Sequence, residues 1–379
     1  MKIMMSAGEA SGDMHAAAVA AELKRIMPEA DIFGMGGADM RKSGVRIIYD
    51  IENLGIIGVV EVIRHIPFFF RLRAFLKKAM VEEKPDVLVC VDYPGFNMKL
   101  AHVAKELGIP VIYYIAPTIW AWNKGRAKNI VRDVEQVASI FPFEAEAYRK
   151  AGARVTFVGH PLADTVKPSM SFEEAMKYFH GDPSRKRVLL MPGSRKNEVA
   201  GLLPMMLEAA KKLEDKERCQ FFIPRASTIP KDMLLGIIGN TSLSIEITEG
   251  HQYDLMHICT ACVASSGTAT LETALMELPT VLVYRLAPVT WFLANLLVHV
   301  KYAGLPNLLL NREVTPELLQ DRANADNIVS ILLPWLEDEK KREKNVEEIR
   351  KVRKALGSGG AVHRVAELII KTAGAVHGK

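Results

Sequence analysis

At 379 residues, with 49% hydrophobic and 25% charged side chains, the chain is too long for one small core and too apolar for a disordered polymer, and it reads as two α/β domains. Lys and Arg number 49 against 44 Asp and Glu, a net charge of +5 spread without a basic stripe. That balance argues against nucleic acid and favours anionic lipid or phosphate as partner. The four cysteines lie in apolar runs, as in a reduced, cytosolic compartment; Cys259 and Cys262 form a C-x-x-C, but nothing completes a zinc site, so no metal or other cofactor is expected.

From the N-terminus, MKIMMSAGEASGD reads as a strand entering a Gly-rich turn rather than as a signal peptide. Val/Ile-rich runs then alternate with helical patterns, the mark of parallel sheets wrapped by crossover helices. Strands are predicted at 2–5, 31–33, 87–91, 111–115, 137–140 and 155–158, then at 187–191, 220–223, 244–247, 261–264 and 280–283. The polar stretch 164–185, with Pro168 and Pro183, separates domain 1–165 from domain 166–379. Past Thr315 the pattern is wholly helical, giving a tail over 315–379. No stretch is apolar enough to span a bilayer. Residues 55–73 come nearest but contain Glu61, Arg64 and Pro67, so they could lie on a membrane and not cross it.

Four strand-to-helix loops carry the chemistry. Two doubly wound domains facing one another should bind ligand where the carboxyl ends of their strands meet. In the first loop, Glu9, Ser11, Gly12 and Asp13 open a helix; the acidic pair could accept sugar hydroxyls or cap that helix. The loop lacks the full G-x-G-x-x-G spacing, which argues against a nicotinamide cofactor. In VDYPGFN, Asp92 ends an apolar strand, where a carboxylate can take a proton from an attacking hydroxyl; a helix cap is the alternative. In the second domain, Gly193 and Ser194 offer backbone donors and Arg195 a planar fork for a diphosphate. Ser266, Gly267 and Thr268 form a small-residue loop ahead of a helix, and Glu272, one turn in, can reach a ribose diol.

SAGEASGD, VDYPGFN, IWAWNKGR, FPFE, GHPLAD, PGSR, SSGTATLE and LPNLL occur in that order over nearly the whole chain. Together they resemble the lipid-A-disaccharide synthase family. The resemblance implies a GT-B fold of two doubly wound Rossmann-like domains, an acceptor and membrane-docking domain followed by a UDP-binding one. It also implies inverting transfer of 2,3-diacylglucosamine from UDP-2,3-diacylglucosamine to the 6-hydroxyl of 2,3-diacylglucosamine 1-phosphate, without a metal. Consistently, no Asp-x-Asp motif is present. Carried onto this chain, it makes Asp92 the base, Arg195 and the 266–268 loop the UDP grip, Glu272 the ribose contact and Asn307 a neighbour of the nucleotide. A turn after Pro306 is the alternative for Asn307. Tyr93, Pro94 and Gly95 fall where the family varies.

Trp122 and Arg126 are acceptor-side candidates, with core packing the alternative for the tryptophan. His160 reads as a turn residue, and His15 as facing the neighbours of the first helix. Because acyl chains stay in the bilayer, a docking surface is expected. Ile56, Ile57, Val59, Val60, Ile63, Phe68, Phe69 and Phe70, beside Arg64, Arg71, Arg73, Lys77 and Lys78, supply apolar and cationic groups for it; residues 288–302 are a second candidate, and a buried core helix is the alternative for each. The enzyme is accordingly expected in the cytoplasm, peripheral to the inner face of the inner membrane. A homodimer with exchanged C-terminal segments is a further implication of the family. The rival readings are a UDP-sugar 2-epimerase of similar fold and a non-enzymatic nucleotide-binding module on a lipid surface.

Overall fold

The computed structural model describes residues 1–54, 66–119, 124–286, 291 and 301–377. Ile56, Ile57, Val59, Val60, Ile63 and Trp122 lie outside the described residues, as does most of the 288–302 segment.

The chain divides into two units, Met1–Pro161 with Ser358–Lys379, and Leu162–Gly357. In the first, strands β1 (Lys2–Ala7), β2 (Asp31–Gly36), β3 (Arg46–Asp50), β4 (Val87–Val91), β5 (Val111–Tyr114), β6 (Gln136–Ser139) and β7 (Val155–Phe157) form a parallel sheet in the order β3-β2-β1-β4-β5-β6-β7. Every residue of β4 and β5 is buried, because a parallel sheet covered on both faces selects continuous apolar strands instead of alternating ones. The helices that concern the site are α1 (Ala10–Ile26), α2 (Ala38–Lys42), α3 (Ile66–Glu83) and α4 (Pro94–Glu106).

In the second unit, β8 (Lys186–Met191), β9 (Cys219–Pro224), β10 (Ile245–Thr248), β11 (Ala261–Ser265), β12 (Thr280–Tyr284) and β13 (Glu317–Leu319) pair in the order β10-β9-β8-β11-β12-β13. Each sheet reverses its winding once, between β1 and β4 and between β8 and β11. At such a switch point neighbouring loops diverge to opposite faces and leave a crevice at the carboxyl ends of the strands. Register keeps the loop pairs level: Ala7 lies beside Val91, and Ala264 beside Met191.

The eleven strands expected from the sequence are all present, each within three residues of its predicted ends. Two others escaped. β3 is an edge strand with no buried residue, its apolar run limited to Ile47, Ile48 and Tyr49, and β13 has three residues. β13 also corrects the expectation of a wholly helical chain after Thr315, because it pairs with β12. The tail does not stay together in the second domain either. Its last helix, Ala361–His377, packs on α1 and β4 of the first unit, where Arg364 Nε donates to the Val158 carbonyl at 2.8 Å.

Candidate active-site turns

In the first unit the β4 loop is an unusual turn. Asp92 and Tyr93 both adopt left-handed backbone, with φ of 49° and 51°, a conformation that costs a non-glycine residue about 1–2 kcal/mol. The Asp92 N–H donates to the Tyr114 carbonyl at 3.1 Å. Its own carbonyl accepts from Asn97 Nδ2 at 2.9 Å and from the Tyr113 hydroxyl at 3.0 Å. Tyr93, not Asp92, occupies the N-cap of α4, which leaves the Asp92 carboxylate uncommitted to helix capping. Burial pushes that carboxyl above the ordinary aspartate range, partly opposed by the Tyr93 N–H and by His15.

The β1 loop lies against this turn. Ser6 Oγ donates to Asn97 Oδ1 at 2.7 Å and Asn97 Nδ2 returns a bond to the Ser6 carbonyl at 3.0 Å. The Tyr93 ring covers Gly8 so closely that a Cβ there would lie 2.1 Å from a ring carbon. Glycine at position 8 is therefore required by Tyr93, a contact that the variability assigned to Tyr93 did not anticipate. Glu9 is exposed at the N-cap of α1, and burial together with the charge of Asp92 raises its carboxyl. Ser11 is exposed, while Gly12 is buried with the Val91 carbonyl 3.4 Å from where a Cβ would sit.

His15 faces the neighbours of the first helix, as expected; burial holds it below the usual histidine range, opposed by the charge of Asp92. It meets the Tyr114 ring edge-on at 6.4 Å. His160, brought down to about 4 by burial and then by His15, packs on Phe141 with ring centroids 4.9 Å apart. Arg126 acts electrostatically on Tyr113, the tyrosine bound to the Asp92 carbonyl.

Asp13 is a correction. Its buried carboxylate accepts from the backbone N–H groups of Gly37 at 2.6 Å, Asp39 at 2.9 Å and Met40 at 3.3 Å. It serves the first turn of α2, buried and with three of its acceptor positions taken by backbone.

In the second unit, Gly193 has φ of 117°, and a Cβ on it would meet Glu198 Oε2 at 2.5 Å and Ser265 Oγ at 3.3 Å. The β8 and β11 loops are thus adjacent. Arg195, whose side chain is 78% exposed, bonds only Glu198 among the described residues, at 3.0 Å. The Ser194 carbonyl is held by Thr228 Oγ1 at 2.6 Å.

Gly267 precedes the helix Thr268–Leu275 with φ of 150°. The first-turn N–H groups of that helix have no partner within it. Glu272 is held by the Tyr253 hydroxyl at 2.9 Å and by Gln252 Nε2 at 3.3 Å, and burial raises its carboxyl. Neither Tyr253 nor Gln252 was legible as a site residue, since nothing local ties a tyrosine to a glutamate nineteen positions later.

Asn307 is the second correction. It is fully buried, and its Nδ2 donates to the Thr315 carbonyl at 2.6 Å and Glu317 Oε1 at 2.7 Å. Its Oδ1 accepts from the N–H groups of Val314 and Thr315 at 2.7 and 2.9 Å. Glu317 in turn accepts from the N–H groups of Ala303 and Gly304, and the Ala303 carbonyl meets Ser266 Oγ at 3.3 Å. Asn307 therefore braces the segment behind Ser266, with every polar position of its amide engaged.

Phe68 and Phe69 are also corrected in part. Both pack onto the first unit's core, Phe68 against Tyr49 and Phe69 against Phe96, with centroids 6.4 and 6.1 Å apart. Phe70 is 55% exposed, joined on the same helix by Phe75 at 45% and by exposed Arg71, Lys77 and Lys78. No described helix is long and apolar enough to cross a membrane, and no described cluster of His, Cys, Asp or Glu has the grouping to hold a metal ion.

Two Rossmann-like sheets, each with small-residue loops at its switch point, define a GT-B chain. The same fold occurs in UDP-GlcNAc 2-epimerase from Neisseria meningitidis bound to UDP-GlcNAc, 12% identical with a TM-score of 0.68 over 98% of this chain and 100% of that one. It also occurs in MurG of Acinetobacter baumannii, 16% identical with a TM-score of 0.61 over 98% and 99%. The sequence goes further than the fold. Residues 3–370 match the family described as lipid-A-disaccharide synthetase. The lipid-A-disaccharide synthases of Geobacter metallireducens and Geobacter sulfurreducens are 42% and 41% identical, each over 98% of this chain and 97% of theirs. That of Coxiella burnetii is 37% identical over 97% of both. The chain belongs to the lipid-A-disaccharide synthase family.

Proposed function

We propose that the chain transfers 2,3-diacylglucosamine from UDP-2,3-diacylglucosamine to the 6-hydroxyl of 2,3-diacylglucosamine 1-phosphate, with Asp92 as the base. The observation that carries the base assignment is the half-buried Asp92 carboxylate at the switch point of the first sheet, uncommitted to a helix cap and less acidic than an exposed aspartate. A carboxylate so raised is a better proton acceptor for a hydroxyl than an exposed aspartate. As Asp92 takes the proton, the hydroxyl oxygen bonds the anomeric carbon. The bond from that carbon to the β-phosphate oxygen breaks, and its electron pair leaves with UDP on the opposite face. An α donor thus gives a β(1→6) disaccharide 1-phosphate.

Negative charge grows on the departing diphosphate. Arg195 and the backbone donors of Gly193, Ser194, Ser266, Gly267 and Thr268 are the groups suited to it, because donors aimed where charge develops lower the barrier. Glu272, fixed by Tyr253, is suited to the ribose diol. Glu9 and Ser11 are acceptor-side groups beside Asp92, with Arg126 near Tyr113.

The acyl chains of both sugars call for a lipid surface. Phe70 and Phe75 on α3, with Arg71, Lys77 and Lys78, combine apolar insertion with attraction to anionic headgroups and support a peripheral position at the inner face of the inner membrane. Replacing Phe70 and Phe75 by Ser is expected to weaken sedimentation with anionic vesicles about tenfold, since each exposed ring contributes on the order of 1 kcal/mol when partly inserted, while UDP affinity persists. Exchange of the last helix, Ala361–His377, between two copies of the chain is a further proposal, tested by the mass of the protein in solution.

The reaction is tested by mass spectrometry of the product formed from the two acylated monosaccharides. A tetraacyl disaccharide monophosphate is the expected species. Its absence, with interconversion of UDP-N-acetylglucosamine to the manno sugar instead, would replace the transferase reading by the epimerase one.

A further inference from the structure

A turn with two consecutive left-handed residues and no glycine needs something to hold it. Asp92 and Tyr93 hold consecutive left-handed backbone, and such strain persists only where its surroundings over-determine it. Here the surroundings are two buried side chains. Asn97, with no exposed surface, directs Nδ2 at three carbonyls, those of Asp92 at 2.9 Å, Ser6 at 3.0 Å and Val91 at 3.2 Å, while Oδ1 accepts from Ser6 Oγ. Tyr113, equally buried on β5, donates its hydroxyl to the same Asp92 carbonyl. Aspartate at 97 would turn a donor into an acceptor facing those carbonyls, so the amide is specified chemically and not only by shape.

We infer that Asn97 and Tyr113 are positioning residues for Asp92, fixing its turn to the first loop so that the carboxylate is already oriented when the acceptor hydroxyl arrives. The inference rests on Asp92 being the base. Neither side chain has surface with which to touch a substrate, so any effect on turnover passes through the turn. Displacement of a reacting group by about 1 Å can cost 10²-fold in rate, which makes such bracing worth two buried polar groups.

The test is a double-mutant cycle. Tyr113→Phe keeps the ring and removes one hydrogen bond; turnover at saturating substrates is expected to fall about 3- to 10-fold, with donor KM and UDP affinity within twofold of the parent. Asn97→Ala is expected to lose roughly 10²-fold; should it fail to fold, Tyr113→Phe carries the test alone. In an Asp92→Asn background, Tyr113→Phe should leave the residual rate unchanged, because groups that act as a unit are non-additive. An equal loss in both backgrounds, or a lowered melting temperature with parental turnover, overturns the positioning role. Near-parental turnover in Asp92→Asn alone overturns the base assignment, and is told apart because residues 97 and 113 are untouched.

Discussion

The β4 turn of the first unit and the β8 turn of the second both follow an apolar strand at a switch point, yet they are built in opposite ways. Around Asp92, side chains from β1, β5 and α4 converge on one carbonyl and one loop. Arg195 projects from its turn with a single ion pair three residues away, a contact worth well under 1 kcal/mol at such exposure. A proton acceptor has to be in place before the reaction, whereas a guanidinium that grips a charged leaving group can be ordered by that group when it binds. Under the proposed function, the contrast corresponds to rate in the first unit and nucleotide affinity in the second.

The largest effect that would break the contrast lies at Asp92. Asp92→Asn keeps the shape and removes the proposed base, and turnover should drop roughly 10²- to 10⁴-fold; a steady-state assay at saturating substrates would expose a smaller loss. Next comes Asn307, which shows that the second unit is also braced, but behind its loops. Asn307→Ala orphans two N–H groups and a carboxylate contact and should cost about 2–4 kcal/mol in denaturant unfolding. Loss of UDP affinity with parental stability would instead return Asn307 to the nucleotide.

Arg195→Ala should weaken UDP binding by about 1.5–3 kcal/mol, the worth of a charge-assisted contact, and Arg195→Lys should recover only part because an ammonium lacks the fork. An unaltered calorimetric titration would remove Arg195 from the site.

The smallest effect concerns pH. Burial raises the Asp92 carboxyl, so its ionised form opposes folding: stability is fully present below the unfolded-state value and is lost as pH rises through the higher folded-state value. Asp92→Asn should therefore melt slightly above the parent at neutral pH, with the gap closing towards pH 4. For the same reason the acid limb of the rate profile should fall above the ordinary aspartate range.

Much of this was legible in the sequence, for reasons that also mark where reading stops. Parallel strands announce themselves as apolar runs, and Asp92 was placed by the strand that precedes it. The half-exposed edge strand β3 carries only Ile47, Ile48 and Tyr49 between charged residues. Asp13 and Asn307 failed differently: a polar residue in a loop looks the same whether it awaits a ligand or is saturated by backbone, and only the three N–H groups at Asp13 and the four bonds at Asn307 decide. Asn97 stood inside a quoted motif, but its partner Ser6 is 91 residues away, beyond any local pattern. The last helix shows the same limit, since its amphipathic face does not say which unit it covers.

The division of labour is tested most directly by titrating UDP into Asp92→Asn in a calorimeter beside the parent. The account predicts dissociation constants within about twofold of each other, because the removed charge belongs to the unit that does not grip the nucleotide. A tenfold or greater change, about 1.4 kcal/mol, would contradict it and make Asp92 part of the nucleotide site.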